Sequence, residues 1–448
     1  MMKVIGLFKS PLTNRYTRME THMHRLIVAG FALWSLIASP TYGEQGETTA
    51  TVFTEDGAWC WFQDPRAVYV RGKHEQTYAQ WMTRKGELQI GAYDHETGEI
   101  LIHTLKENWD QDDHNTGAFL VLPNKRLMAF YAQHCKQELF CRTTSNPEDI
   151  SQWEDEVTIS NSDNITYAHP VYLSEEKKYY VFWRGPSWKP TFATSSDGIS
   201  WSDPQILIQE SGRESTSIRP YLKVISNGES SIHFMFTDGH PRDEVENSVY
   251  YLKYEKDQFI KANGDRVGSM RDLPIPHKSS DLVYDGSSET GRAWIWDIAI
   301  DEQGFPVIAY TRLPTETNHR YCTARWTGKQ WLDVEITPGG KWFPQTPEGH
   351  TEPEPHYSGG MAIDHADPST LYVSRPISGI FEIEQWSSPD QGKTWTSIAM
   401  TQKSTQNNIR PLVPRGTPKD KQIVLWMFGE YTHYTNYGTG IQLLEVED

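Results

Sequence analysis

The sequence predicts an all-β chain folded as a seven-bladed β-propeller. Short apolar strands headed by polar or aromatic residues begin seven times, at Trp61-Phe62-Gln63, His114-Asn115-Thr116, Tyr167-Ala168-His169, Ile218-Arg219-Pro220, Trp294-Ile295-Trp296, His356-Tyr357-Ser358 and Asn408-Ile409-Arg410. The starts recur at roughly 50 to 60 residues, with one longer gap before Trp294. This is close to the period of a propeller blade, a four-stranded sheet repeated about an axis. A turn also recurs: Ser388-Pro389-Asp390-Gln391-Gly392-Lys393-Thr394-Trp395 follows the pattern S-x-D-x-G-x-T-W, Ser195 to Trp201 is a shortened copy, and Ser145 to Trp153 a looser one.

The fifth unit shows the blade most plainly. Ala293 to Ile300 alternates apolar and polar residues, Asp301-Glu302-Gln303-Gly304 turns, and Pro306 to Tyr310 is a second strand. Thr311 to Asn318 is a polar loop, His319 to Trp326 a third strand, Thr327-Gly328-Lys329 a turn, and Trp331 to Ile336 the last strand. The repeated turn then joins third and fourth strands as an Asp box. Its Asp caps turn N–H groups, its Gly takes positive φ and its Trp packs between blades, so it reports on fold and not on chemistry. The seventh unit is short of a strand, and Thr48 to Thr54 is expected to supply it and close the ring.

The expected domain organisation is a leader over residues 1–43 and a single propeller over 44–448. His24-Arg25 precedes an apolar run from Leu26 to Ile37, followed by small residues up to Gly43. Such a run is too short to span a bilayer and has the form of a signal peptide, so secretion is expected. No membrane association is expected after its removal. The net charge of -17 argues against generic nucleic-acid binding. Four cysteines (Cys60, Cys135, Cys141 and Cys322) do not make a disulfide framework. Cys135 and Cys141 flank a hairpin and are either bridged or small buried apolar groups. A monomer is expected.

In a propeller, the loop entering the first strand and the loop after the second open on one face. The entering loops offer Gln63, His114, Tyr167, Arg219 with Tyr221, Trp296, Tyr357 and Arg410. The second-strand ends offer His134, Arg184, His240, Arg312 and Arg375, with Trp81 and Trp426. An Arg- and His-rich mouth on an acidic protein suits an anionic sugar polymer, because guanidinium groups grip carboxylates and sulfates in bidentate fashion. Trp296, Tyr357, Trp81 and Trp426 also read as blade packing, and Arg375 and Arg410 as ion-pair partners.

Several segments carry a family resemblance. Trp59-Cys60-Trp61-Phe62-Gln63-Asp64-Pro65-Arg66, Asp113-His114-Asn115, Thr166-Tyr167-Ala168-His169-Pro170, Phe182-Trp183-Arg184-Gly185, Phe236-Thr237-Asp238-Gly239-His240-Pro241 and Tyr357 to His365 resemble the BNR-repeat polysaccharide lyases. Among these the chain is most similar to the ulvan lyases of polysaccharide lyase families 24 and 25, with 25 the better fit. The resemblance runs from about Trp59 to the C-terminus. It implies a sulfated polymer of rhamnose and uronic acid as substrate and cleavage by β-elimination. It places the family's two histidines on His114 and His134, its tyrosine on Tyr167 with Tyr179 as the alternative, and the carboxylate-binding arginine on Arg184. Gln63, Arg66, Asn115, Arg219, Tyr221 and Arg312 are the further substrate-binding candidates.

These residue types fit that chemistry. An arginine neutralises the uronate carboxylate so that the C5 proton can leave. A base takes that proton and an acid protonates the leaving O4. Tyr167 serves as both if the two lie on one side of the ring, provided Arg184 and the histidines lower its pKa. His114 serves as base from the other side, and His134 orients the carboxylate or the tyrosine. No cofactor is required. A closed set of His240, His277 and Cys322, with His319 nearby, would be a structural zinc or calcium site, although no spacing here is diagnostic and unrelated packing residues are the plainer reading. Two other classes stay open: a sialidase-type hydrolase, with Arg184, Arg312 and Arg375 as an arginine triad, and a non-catalytic carbohydrate-binding propeller.

Overall fold

The computed structural model describes residues 50–446, except 211–217, 288, 344–345 and 347–349. The expected leader lies outside the described residues. Apart from four single-turn 3-10 segments, the described chain is built from β-strands, and no helix in it is long and apolar enough to cross a membrane.

The larger sheets are antiparallel. The first runs Ala67–Arg71, Glu75–Met82, Leu88–Asp94, Ile100–Lys106 in spatial order. The unit read as the fifth is Arg292–Ile300, Pro306–Thr315, Asn318–Trp326 and Trp331–Gly340. Here the second strand continues five residues into what reads as a polar loop. Its extension pairs with the third strand, with Arg312 opposite Arg320 and Thr315 opposite Asn318. Inner strands are covered on both faces and so lose the polar–apolar alternation: Leu127–Ala132 is buried at every position.

Ring closure follows expectation. Thr51–Thr54 pairs with Asn436–Val446, Thr51 lying opposite Leu443, and completes the sheet begun by Asn407–Leu412 and Gln422–His433. The Asp boxes are also as expected. Asp390 Oδ1 accepts the N–H groups of Lys393 and Thr394, and Asp197 Oδ1 those of Ile199 and Ser200. Gly392 and Gly198 have φ of 89° and 76°. Trp201 meets Phe130 of the preceding unit edge-on.

Seven separate four-stranded sheets are not what the hydrogen bonding gives. Four sheets are of that kind; the others are an eight-stranded sheet, a six-stranded sheet and a two-stranded parallel pair. The eight-stranded sheet arises because one long strand, Val157–Leu173, serves two neighbours. Its first half pairs with Lys136–Asn146 and its second with Lys178–Arg184. The six-stranded sheet carries an added hairpin, Gln258–Ile260 with Arg266–Ser269, which accounts for the longer gap before Trp294.

Tryptophans fill the interior. Trp59, Trp81, Trp183, Trp294, Trp296 and Trp426 are fully buried, so Trp81, Trp296 and Trp426 are packing residues. All four cysteines are free thiols, and the Cys135–Cys141 bridge is not formed.

Candidate active site

The inner strands start at one end of the ring, and four of the predicted residues meet there. Asp112 caps a single 3-10 turn, Asp113–Asn115, by accepting the His114 N–H at 2.9 Å. The same carboxylate also organises both histidine rings. Its Oδ1 lies 2.8 Å from His114 Nδ1 and its Oδ2 3.0 Å from His134 Nδ1. The rings stack with centroids 4.3 Å apart and planes 9° from parallel, and Tyr434 stands edge-on against both.

A second acid sits beneath. Asp113 is wholly buried, lies 3.0 Å from His114 Nδ1, and accepts hydrogen bonds from Arg410 Nη1 and Tyr431 Oη. Arg410 is therefore an ion-pair partner, as is Arg375 with Glu384.

Tyr167 reaches the histidines through an irregularity. The register of Val157–Leu173 against Lys178–Arg184 shifts between Thr166 and His169, and Tyr167 takes a left-handed φ of 64°. Bulges next to active sites commonly re-aim a side chain in this way. The phenol ring is 5.7 Å from His114, and the Arg184 guanidinium lies 5.2 Å from its centroid. Tyr179, the alternative, packs on Tyr172 at the end of its strand opposite to Arg184 and makes no contact with the histidines among the described residues.

Arg184 is buried at the end of Lys178–Arg184. It donates to Tyr221 Oη, lies 4.6 Å from the Trp188 ring and contacts Cys135 Sγ at 3.9 Å. Its Nε has no hydrogen-bond partner, and among the described residues it has no carboxylate partner. Trp188, which was not predicted, has a φ of 61° and Ser187 one of 54°. Arg219 is exposed, with its guanidinium 5.4 Å from the same indole.

The titration directions separate the two histidines. Burial opposes charge on His114, but the acidic groups around it (Tyr167, Cys60, Asp112) outweigh burial and raise its pKa well above the ordinary value. Burial, and then the charge on His114, lower that of His134. The Tyr167 phenol is raised well above its usual value by burial, which the charges of His114 and Arg184 offset only in part. The expected lowering of Tyr167 is thus not found: removing the ring from water outweighs its cationic neighbours.

Other predicted residues fall elsewhere. Arg66 lies under the mouth, paired with Asp64 at 3.1 Å and donating to the Cys60 carbonyl. Asn115 is committed to the backbone, accepting from the His134 N–H at 2.6 Å and donating to the Trp109 carbonyl at 2.7 Å. Arg312 pairs with Asp333 across its own sheet and donates to Tyr310 Oη, two residues earlier on its own strand, and has no contact with Arg184 among the described residues. Gln63 is fully buried with neither amide atom partnered.

The expected metal set does not assemble. His240 faces Trp294 and His356, His277 Nε2 lies 3.2 Å from Asp238, and Cys322 Sγ contacts the Arg320 carbonyl within its own sheet. The three come from separate sheet positions that the ring does not bring together. Among the described residues, the groupings compact enough to hold an ion are Cys60–Asp113–His114 and Asp112–His114–His134. Asp112 and Trp188 were the residues missed. The Asp-Asp-His run was the available signal for the first, and nothing local singled out the second.

Fold and repeated turns define a β-propeller of the BNR-repeat class. The chain belongs to the BNR repeat-containing family, whose profile matches residues 76–338. Among solved structures it is similar to a polysaccharide lyase of the PL25 ulvan lyase family, at 17% identity and a TM-score of 0.68, covering 89% of this chain and 96% of that one. It is similar to a PL25 ulvan lyase bound to -[GlcA(1-4)Rha3S]-, at 16% identity, a TM-score of 0.68 and the same coverage. The polysaccharide lyase Uly1 is also similar, at 11% identity and a TM-score of 0.53, covering 89% of this chain and 97% of that one. No curated protein matches. These likenesses show the fold.

Proposed function

We propose that the protein is a secreted polysaccharide lyase that cleaves a sulfated, uronate-containing polymer of the ulvan type by β-elimination. The observation that carries this reading is Arg184: a buried guanidinium with no carboxylate partner among the described residues, beside a phenol and a pair of histidines. A buried charge without a partner is costly, so such a site favours an anionic ligand that completes it. A uronate carboxylate has the charge and the planar geometry.

The reaction then follows from the protonation states. Arg184 neutralises the carboxylate and makes the C5 proton removable. His134 is the neutral imidazole, its Nδ1 held by Asp112, so its Nε2 is the base that takes the C5 proton. Electrons from the C5–H bond form the C4–C5 double bond, and the C4–O4 bond breaks. Tyr167, kept as a phenol by burial, gives its proton to O4. The charged His114 stabilises the resulting phenolate until a proton returns. Every step is carried by side chains of this chain. Two ionisable groups pushed apart by their surroundings commonly divide acid and base roles in this way.

We also read the eight-stranded sheet as two blades sharing the strand Val157–Leu173, which with the five larger remaining sheets makes seven. The hydrolase reading is disfavoured because Arg312 and Arg375 are each engaged by an acid, leaving no arginine triad. The test is to digest ulvan while following ultraviolet absorbance and reducing ends together. Elimination raises both in step. Reducing ends without absorbance would indicate hydrolysis, and binding with neither would indicate a carbohydrate-binding module.

A further inference from the structure

The inner strands run from the histidine–tyrosine mouth to the opposite end of the channel, and a cavity opens there. It holds about 450 Å³ and is lined by the far ends of four successive inner strands, among them Val68, Val70, Phe119, Val171 and Val224. That volume lies in the range of small-molecule sites, roughly 300–1,000 Å³. The lining is mostly apolar and carries three cations: Arg71, Lys125 and Arg415, the last contributed by the final unit, which adjoins the first. Arg415 is fixed by its backbone: its N–H donates to the Ala67 carbonyl and its carbonyl accepts from the Tyr69 N–H, both at 2.9 Å.

The nearby acids are already answered. Asp64, which also lines the cavity, is paired with Arg66 and Lys223. Asp297 lies 3.1 Å from His365 Nε2. At the rim, Arg71 is held by Glu75 at 2.8 Å, and Lys125 is half-buried. Arg415 has no ion pair among the described residues, and its Nε is buried without a hydrogen-bond partner. Arg415 lies near Asp64 and Asp297 but forms no ion pair with either among the described residues, and an apolar chamber lined by such a guanidinium is complementary to a ligand with an apolar body and one anionic head.

We propose that the channel mouth opposite the candidate active site binds a small apolar organic acid, a carboxylate or sulfonate, with its head on Arg415 and its body against the strand ends of the first four units. The site is independent of the lyase reading, since it shares no residue with the mouth where Arg184 lies.

The probe is 8-anilinonaphthalene-1-sulfonate, titrated into the full-length folded protein by fluorescence, with the uncharged N-phenyl-1-naphthylamine as comparison. The expected result is saturable one-to-one binding of the sulfonate, weakened at least tenfold by Arg415→Met and lost in Val121→Trp, which fills the partly exposed rim. Thermal melting checks that each variant is folded; should Arg415→Met fail to fold, Val121→Trp and the uncharged comparison still decide. Non-saturable binding, binding unchanged in the folded variants, or equal affinity for the uncharged compound would overturn the proposal.

Discussion

At the scale of single residues, the account turns on Arg184 and the two unlike histidines. Replacing Arg184 by Lys keeps a charge but loses the planar fork. On the proposed mechanism kcat/KM for ulvan falls about 10²–10³-fold, the loss typical of removing one transition-state donor; steady-state kinetics on the variant checks it. The pH profile follows from the shifts. His134 acts as base only when neutral, and its pKa lies below the ordinary histidine value. Activity therefore rises with pH through a midpoint below about 6.5 and then holds. It falls on the alkaline side only where His114 or Tyr167 loses a proton, both being raised. A kcat/KM profile with its acidic midpoint well above 6.5 would remove His134 from the role of base. His114, His134, Tyr167 and Arg184 stood among many polar groups at the ends of apolar strands, and it was the family resemblance that singled them out; the structure brings the four side chains together. Arg66 and Arg312 have the same look, yet acids two residues away or across the sheet claim them. Pairing of that kind depends on side-chain direction, which the residue string does not display.

At the scale of elements, the Asp113–Asn115 turn binds chemistry to stability. Asp113 is the counter-charge of buried Arg410 and the hydrogen-bond acceptor of Tyr431. Asp113→Asn leaves that guanidinium uncompensated, a change that costs about 3–5 kcal/mol for a buried pair. Urea denaturation should show an unfolding free energy lowered by that amount, read as a shifted midpoint with little change in slope; a loss below about 1 kcal/mol would mean the pair is not the anchor argued here. The strand Val157–Leu173 shows where sequence reading ran out. Only its second half, headed by Tyr167-Ala168-His169, was singled out as a strand in the sequence. That both halves form one continuous element depends on its bulges, with register shifts between Thr158 and Ser160, Asn161 and Ile165, and Thr166 and His169. Alternation alone does not reveal such shifts, because a bulge changes which face a residue meets without changing its composition.

At the scale of the whole molecule, burial of neutral histidines sets an acid limit. Desolvation holds His169 and His233 at a pKa of about 3, and His319 and His356 at about 4. Below about 6.5 the unfolded chain takes up protons that these sites refuse, so stability falls as pH drops from 6.5 toward 4. Melting temperature measured across that window should decline steadily, and a flat profile would contradict the burial of these rings. Ring closure was legible from a missing strand in the last unit, and the Asp boxes from their spacing. Departures from a simple repeat, the added hairpin and the shared long strand, were not, since periodicity reports how often strands recur and not which neighbours they bond.

The central claim, elimination at a uronate held by Arg184, is tested most directly by ultraviolet absorbance during ulvan digestion, comparing the wild-type protein with Arg184→Met. The account predicts a rise in absorbance from unsaturated uronyl ends that is at least about 10²-fold slower in the folded variant. An equal rate in the variant, or chain cleavage with no rise in either protein, would contradict it.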